Sequence, residues 1–229
     1  GGKIISINGK YLDLLDILKR RQSVILKPLD SASGMGVINI SFDEDIRFNK
    51  EIITEKELYS RVDKLDNYLV SEIIEKAAYS KKIYPKTANT IRILTMVNPQ
   101  TDIPFIAAAA HRFGTDESFP VDNCNAGGLT AQIDIETGKL SNALTTYFKG
   151  NDIIRFDIHP DSGEKISSVK IPNWDYIKEA VLYISEKISF LKYIGWDIIP
   201  TDNGFVVLEG NNGPDIKLHQ VHEPSVFVC

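Results

Sequence analysis

The feature that most constrains this chain is a pair of apolar runs near its end, at residues 195–199 and 205–208. A Thr-Asp-Asn-Gly tetrapeptide separates them, and two β-forming runs around such a turn sequence predict a β-hairpin. With a three-residue loop at 202–204, Thr201 faces Phe205 across the hairpin. This register determines which side chains of the two strands meet, and therefore which chemistry the hairpin can present.

The same register brings acidic side chains together. Asp197 lies opposite Glu209, and Asn211 shares the face of Glu209 because strand side chains alternate with a period of two. Two facing carboxylates repel each other unless a cation lies between them, and carboxylate and amide oxygens suit a hard ion such as Mg²⁺. A register shifted by one residue is the alternative, and it would leave both acids in solvent.

Composition limits the classes of protein that the chain can belong to. Its 229 residues suit one large domain or two small lobes, and the net charge of −5 argues against nucleic acid or an anionic membrane as main partner. No apolar run is long enough to span a bilayer. The cysteines, Cys124 and Cys229, lie far apart and indicate a reducing compartment, so we expect a cytoplasmic protein. Because the sequence starts at Gly1 without Met, we expect either a tag scar or an excised fragment, and the second would allow for an upstream domain missing from this fragment.

A lysine followed by a small-residue loop marks the first part of the chain. The β-branched run at 23–28 carries Lys27 near its end, a Ser/Gly-rich loop follows at 31–36, and a second strand is predicted at 37–42. Backbone N–H groups of such a loop can approach a polyphosphate closely, and the lysine adds a point charge. The alternative is a plain glycine-rich hairpin with a surface lysine.

Other elements alternate between helix and strand. A capping box at 54–57 begins one helix, and apolar residues at three- and four-residue steps predict a longer, core-packed helix at 173–193. Further predicted elements are a helix at 11–21 and strands at 68–75, 90–97 and 104–110. Arg92 is the only charge in its strand and needs an anion or a carboxylate, so phosphate contact and an ion pair with Asp197 or Glu209 are both open.

The ordered set of motifs resembles the ATP-grasp superfamily, and in detail its sugar-transfer-associated branch, close to teichuronopeptide-biosynthesis-type proteins. The resemblance covers roughly residues 20–215. It rests on Lys27-Pro28 with its loop, the strand ending at 72–75, residues 89–95, Val121-Asp122-Asn123 with Gly127-Gly128, His159-Pro160, Gly195-Trp196-Asp197 and Leu208-Glu209-Gly210-Asn211. The resemblance implies an α+β fold in which two lobes with antiparallel sheets hold ATP between them. We expect the lobes at residues 1–71 and 72–229.

The resemblance also implies the residues that bind the nucleotide. Lys27 would contact the phosphates, the glycine loop would fold over them, and the hinge strand would meet the adenine mainly through its backbone. Within the hinge, Glu75 is our candidate for the ribose hydroxyls and Glu72 for the hinge contact. The full expected set is Lys27, Ser33, Gly34, Met35, Gly36, Glu72, Ile73, Ile74 and Glu75.

In the second lobe the resemblance assigns catalysis, metal and acceptor residues. Arg92, together with Lys27, would face the transferring phosphate; related glutamate ligases place an aspartate two positions earlier, where this chain has Thr90. The expected Mg²⁺ ligands are Asp197, Glu209 and Asn211. Arg112, Asn123 and His159 are the candidates for the acceptor, although Arg112 could be a strand-end base and His159 could satisfy the backbone.

The function implied is that of an ADP-forming, ATP- and Mg²⁺-dependent carboxylate–amine ligase. It would act through an acyl phosphate on a sugar or other small-molecule acceptor and an amine, in cell-surface polysaccharide modification. Alternatives are phosphoryl transfer to a sugar hydroxyl and a nucleotide-binding module without turnover. The last is favoured by Thr90 and by the early lysines Lys3 and Lys10, neither of which matches the second phosphate-binding lysine of many relatives.

Overall fold

The computed structural model describes residues 3–5, 11–31, 34–145 and 153–222. The chain divides into two compact units, Gly1–Ile74 and Glu75–Cys229. Each unit has its own antiparallel sheet and its own apolar core, and helices pack against both sheets. The chain is therefore an α+β protein, as the sequence predicts. In the part of the chain that is described, no helix has both the length and the apolar character needed to cross a bilayer.

The first unit is built on the sheet that carries Lys27. In the described part of this unit, five strands pair in the order β6-β5-β4-β3-β7, and a separate pair joins β1 to β2. The elements are β1 (Lys3–Ile5), β2 (Tyr11–Asp13), α1 (Leu14–Arg21), β3 (Ser23–Pro28), β4 (Ile38–Phe42), β5 (Ile46–Phe48), β6 (Glu51–Ile53), α2 (Glu55–Val62) and β7 (Tyr68–Glu72).

Local sequence signals explain the helices of this unit. The capping box at Thr54 and Glu57 is present, with the Thr54 amide donating to the Glu57 carboxylate at 2.8 Å. Asp13 caps α1 by accepting from the Leu15 amide at 2.8 Å, so the first residues of the predicted helix at 11–21 form a strand instead. The strand predicted at 68–75 is also shorter, because its pairing with β3 ends at Glu72.

The second unit is built on a larger sheet. Within the described residues its strands pair in the order β12-β11-β10-β9-β8-β13-β14, and every pairing is antiparallel. The elements are α3 (Ala78–Ile83), β8 (Ile91–Val97), β9 (Pro104–Phe113), a 3-10 helix (Cys124–Ala126), β10 (Leu129–Ile133), β11 (Leu140–Thr145), β12 (Arg155–Phe156), α4 (Trp174–Lys187), β13 (Tyr193–Thr201), β14 (Gly204–Asn212) and α5 (Lys217–Gln220).

The two faces of this sheet differ in chemistry. The predicted apolar stripe of α4 packs on one face, where Ile177 and Val181 join Ile93 and Ile198 in the core. Because strand side chains alternate, the neighbouring Arg92 and its partners point to the opposite face. The first face therefore stabilises the unit, and the second face is left for polar chemistry.

The N-terminal end of α4 rests on the turn that joins β10 to β11. Trp174 donates its indole N–H to the Ile135 carbonyl at 2.7 Å, and a Cβ added to Gly138 would lie 2.7 Å from the Trp174 Cβ atom. Gly138 also has a φ of +72°, which L side chains rarely adopt. The turn thus requires glycine for both its conformation and its close contact with Trp174.

We expect Gly138→Ala to lower the free energy of unfolding by about 2–4 kcal/mol, since backbone strain and overpacking add. Gly163→Ala is the matched control, because Gly163 has a φ of +74° but nothing within 4 Å of an added Cβ. It should lower the free energy by only about 1–2 kcal/mol. Denaturant unfolding followed by tryptophan fluorescence measures both, and equal losses would show that the contact with Trp174 does not matter.

Candidate functional site

The β13–β14 hairpin exists, but its loop is shorter than predicted. Thr201 pairs with Gly204 rather than with Phe205, which leaves a two-residue loop instead of three. Taken alone, this register would have moved Asp197 out of alignment with Glu209. A bulge between Asp197 and Ile198 inserts one extra residue on β14 and restores the alignment, so Asp197 pairs with Glu209. The expected position of Asp197 opposite Glu209 is confirmed, but the three-residue loop from which it was predicted is wrong.

Asp197 lies at the centre of a buried ion-pair network. It pairs directly with Arg92 of β8, and only 4% of the residue is exposed. The Arg92 Nε atom donates to Oδ1 at 2.5 Å and its Nη2 atom donates to Oδ2 at 3.0 Å, so the contact is bidentate. Arg112 brings its Nη2 atom to 3.1 Å from Oδ2. Of the two partners left open for Arg92, the structure shows the carboxylate of Asp197.

These arginines shift the acid–base behaviour of Asp197. Burial raises the pKa of the Asp197 carboxyl. Arg112 and Arg92 together lower the pKa by more than burial raises it, so the net pKa is below its usual value. Burial likewise lowers the pKa of Arg112, but Asp122 and Asp197 raise it above the usual value. The Asp197 carboxylate and the Arg112 guanidinium therefore remain charged near neutral pH.

Arg112 is held in place by Thr90, which lies two positions before Arg92. The Thr90 hydroxyl accepts from the Arg112 Nε and Nη2 atoms at 2.8 and 2.5 Å. It donates to the Asp122 Oδ2 atom at 2.8 Å, and the Thr90 amide donates to the same oxygen at 2.5 Å. A carboxylate is thus supplied from Asp122, which is distant in sequence but close in space.

Arg112 lies within a strand, which corrects its expected position. The sequence places the end of this strand at residue 110, whereas β9 runs to Phe113 and pairs Arg112 with Thr130 of β10. The extension is stabilised by His111, whose ring stacks on Phe113 at 4.2 Å between ring centroids. Arg112 is consequently a partly buried partner of Asp197 and not an exposed base at a strand end.

The candidate Mg²⁺ ligands share one region of the sheet. Asn211 donates its amide N–H to Glu209 Oε1 at 3.1 Å and to the Gly195 carbonyl at 3.4 Å. Both oxygens of Asp197 contact guanidinium groups, Oδ1 that of Arg92 and Oδ2 those of Arg92 and Arg112. Glu209 is exposed, and its carboxylate has capacity for a cation. This donor set fits a hard cation through oxygen, although the described residues contain no group of three His, Cys, Asp or Glu arranged for a metal.

The nucleotide candidates of the first unit lie at the end of β3 and in the loop after it. Lys27 pairs with Leu69 of β7, and the loop reaches a turn at residues 34–36. Gly34 and Gly36 have φ values of +74° and +75°, so glycine is needed for this turn. Met35 at its tip is 68% exposed. Ser33 lies outside the described residues.

The hinge candidates are exposed and paired with neighbouring bases. Glu72 ends β7 and forms an ion pair with Arg21 at 2.9 Å, whereas Glu75 forms one with Lys81 at 2.6 Å. Ile73 and Ile74 follow the strand without regular pairing, and Ile73 is 47% exposed. The assignments of ribose and hinge contacts to these residues stay predictions.

The remaining acceptor candidates have partners inside the protein. His159 is fully buried, with Nε2 within 2.8 Å of the Gly114 carbonyl and Nδ1 accepting from the Asp161 amide at 3.2 Å. These contacts favour the alternative in which His159 satisfies the backbone. Asn123 caps the 3-10 helix by accepting from the Asn125 amide at 2.8 Å. Neither geometry tests a contact with substrate.

Sequence reasoning overlooked Asp122 and Lys76. Asp122 was recognised as part of a motif, but the candidate residue chosen from that motif was its neighbour Asn123. Lys76 is buried and donates to the Pro85 carbonyl at 2.7 Å and to the Thr87 carbonyl, and burial lowers its pKa to about 8. It fixes the segment that leads into Thr90 and β8. The signal in the sequence is a lysine directly after the apolar residues 73–74. A lysine in such an interior position needs hydrogen-bond acceptors for its ammonium group.

Two antiparallel sheets in an α+β chain, with the ordered motifs described above, define an ATP-grasp protein. The chain matches the family described as sugar-transfer associated ATP-grasp over residues 3–228, and it belongs to that family. The ATP-grasp fold binds ATP, generally with Mg²⁺, and this family indicates an ATP-dependent, ligase- or kinase-like role in sugar biosynthesis. No curated protein is significantly similar to the chain in sequence.

We expect Thr90→Val to lower the free energy of unfolding by about 2–3 kcal/mol, because hydrogen bonds to charged groups are lost and buried charges are left short of partners. Thr95→Val is the matched control. Thr95 is also buried, but its hydroxyl contacts the neutral Ser185 hydroxyl at 3.2 Å and the Trp196 indole N–H at 3.0 Å.

The control should lose only about 1 kcal/mol. Denaturant unfolding at neutral pH measures both variants. If Thr90→Val loses no more stability than Thr95→Val, the hydrogen bonds of Thr90 to Arg112 and Asp122 do not stabilise the protein as argued.

Proposed function

We propose that the protein is an ATP- and Mg²⁺-dependent carboxylate–amine ligase that forms an acyl phosphate and releases ADP, in cell-surface polysaccharide modification. The observation that carries the proposal is the pair of partly buried guanidinium groups of Arg92 and Arg112, which share Asp197 directly opposite Glu209. Such an arrangement offers fixed positive charge beside oxygen ligands for a cation. Transfer of a phosphoryl group requires both.

Arg92 retains donors for a phosphate. Its Nε and Nη2 atoms contact Asp197, and a guanidinium has five N–H donors in all. A Cβ added to Gly195 would come 3.1 Å from the Arg92 Nη1 atom and 2.6 Å from Pro214, so the glycine leaves room for that end of the arginine. Arg92 can therefore keep its ion pair and direct Nη1 to an anion.

Each unit carries some of the residues that we propose bind ATP and Mg²⁺. Lys27, Ser33, Gly34, Met35 and Gly36 would bind the phosphates of ATP, and residues 72–75 would bind adenine and ribose. Asp197, Glu209 and Asn211 would hold Mg²⁺, which when bound neutralises charge that develops on the transferring phosphoryl group.

The reaction needs little proton chemistry from the arginines. A carboxylate oxygen of the acceptor forms a bond to the γ-phosphorus of ATP while the bond to the β-γ bridging oxygen breaks, which gives ADP and an acyl phosphate. The amine then attacks the acyl carbon, phosphate leaves, and the amine releases a proton to solvent. The guanidinium groups of Arg92 and Arg112 act as fixed positive charges that stabilise the charge of the transferring group.

The Thr90 substitution does not by itself argue for lost turnover. In this structure Asp122 supplies a carboxylate to Thr90 and, at 3.9 Å from Nε, to Arg112. The arginines are thus oriented by carboxylates despite the change. Phosphoryl transfer to a sugar hydroxyl would use the same phosphate contacts, and the experiments below distinguish it from ligation.

Calorimetric titration of ATP with and without Mg²⁺ tests the site residues. We expect Lys27→Ala to weaken ATP binding about 10- to 100-fold, because a charge-assisted phosphate contact is worth about 1.5–3 kcal/mol. Glu209→Gln should weaken binding by a similar factor only when Mg²⁺ is present, since it removes a ligand charge.

Lys56→Ala and Glu179→Gln are the matched controls, because both residues are exposed on helices of their units. Neither should change the affinity by more than about twofold. Unchanged binding in both Lys27→Ala and Glu209→Gln would discard the assignment of the site.

ADP release and trapping test the reaction. We expect ADP only when a carboxylate acceptor and an amine are both present, and we expect hydroxylamine to replace the amine and yield a hydroxamate. Arg92→Lys should lower kcat about 10²- to 10³-fold, because the planar bidentate contact is lost. The exposed Arg47→Lys is the control and should leave kcat unchanged.

ADP formed with a hydroxyl acceptor and no amine would replace ligation by phosphoryl transfer. Mg²⁺-dependent ATP binding without any ADP would identify a binding module instead.

A further inference from the structure

The side chain of His219 is buried without a complete set of partners. It belongs to α5, which lies against β9, and it is only 5% exposed. Among the residues that the structure describes, its Nε2 atom has no hydrogen-bond partner. A buried polar atom without a partner costs about 1–3 kcal/mol, so its position suggests that a bound group completes it.

His219 lies next to the proposed reaction centre. Burial, together with the nearby charges of Arg92, His222 and Arg112, lowers the pKa of its imidazole to about 4. The ring is therefore neutral near pH 7, with one nitrogen that donates and one that accepts. A neutral imidazole suits hydroxyl and amine groups, which also donate and accept.

A cavity of about 510 Å³ lies beside this histidine. His219, Gln132 and Ser141 contribute to its lining together with the three alanines at residues 107–109. The alanines keep this part of β9 free of large side chains. Ala108 shares a sheet face with Ala110, which pairs with Arg92. The cavity thus borders the polar face that carries the two arginines, with His219 common to both environments.

The lining also limits the chemistry of a ligand. It contains the acids Asp134 and Glu136 and the base Lys139, which gives a formal charge of −1, and it contains no Phe, Tyr or Trp. A nucleobase would have only the His219 imidazole to stack on, and an anion would meet the carboxylates of Asp134 and Glu136 in the lining. The volume lies within the range of small-molecule sites, about 300–1,000 Å³. A compact ligand with many hydroxyl groups, neutral or cationic, fits these properties best.

We propose that this cavity binds a sugar that is one of the two substrates joined in the proposed reaction. The sugar supplies the amine or hydroxyl group and not the carboxylate. His219 would bind one of its hydroxyl or amino groups. This inference rests on the proposed function, since it gives one of the two substrates of that reaction a binding site in this cavity. The carboxylate that receives the phosphoryl group would then come from the other acceptor.

Saturation-transfer NMR with three sugars tests the site without any turnover. On the wild-type protein at neutral pH and without nucleotide, glucosamine and glucose should bind, and glucuronate should bind at least about tenfold more weakly because of the acidic lining. Ala108→Leu fills the cavity and should abolish binding of all three. His219→Ala should weaken glucosamine binding about tenfold, while His219→Gln, which keeps a polar group, should weaken it less.

His222→Gln is the matched control on the same segment, since His222 does not line the cavity. It should leave sugar binding unchanged. Circular dichroism checks that each variant is folded, and ATP titration of Ala108→Leu should match the wild type. Equal binding of glucuronate, no binding of any sugar, or binding that survives in Ala108→Leu would overturn the proposed cavity. If the wild-type protein does not bind ATP, the proposed function is overturned instead, so the two failures are distinguishable.

Discussion

The carboxylate of Asp197, shared by two arginines, is the interaction on which this site depends. Taking charged groups out of water is unfavourable, and it is offset only when each charge has a close partner with good geometry. The second unit meets this condition by pairing β13 with β8, which sets Asp197 opposite Arg92, and by pairing β8 with β9, which brings Arg112 alongside. Removing either arginine would leave the buried Asp197 with one guanidinium partner instead of two.

The network also explains why small residues surround it. Gly195 allows Arg92 to extend past Pro214, and Ala110 pairs with Arg92 without competing for the same space. On the other face of the sheet, large apolar side chains pack under α4. The sheet therefore separates stability from chemistry, because alternation along each strand sends neighbouring residues to opposite faces.

Much of this could be predicted from sequence, but for unequal reasons. The hairpin, the capping box and the apolar stripe of α4 follow from local patterns, and the ordered motifs gave the family. The partnership of Arg112 with Thr90 and Asp122 could not be predicted, since it joins residues that are distant in sequence and depends on β9 continuing past residue 110. The pairing of Asp197 with Glu209 was correct only because a bulge compensated for the wrong loop length, and no local pattern signalled that bulge.

The charge count of the site connects the arginines to the proposed metal ligands. Arg92 and Arg112 are already balanced by Asp122 and Asp197, so Glu209 adds a negative charge beyond the balance. A triphosphate that approached this face alone would meet that excess, even though Arg92 can direct Nη1 to it while Nε and Nη2 stay on Asp197. Glu209 and Asn211 can bind a cation without disturbing the ion pairs, because their oxygens lie outside them. The geometry thus gives a physical reason why phosphate binding at Arg92 should depend on a divalent cation held by Glu209.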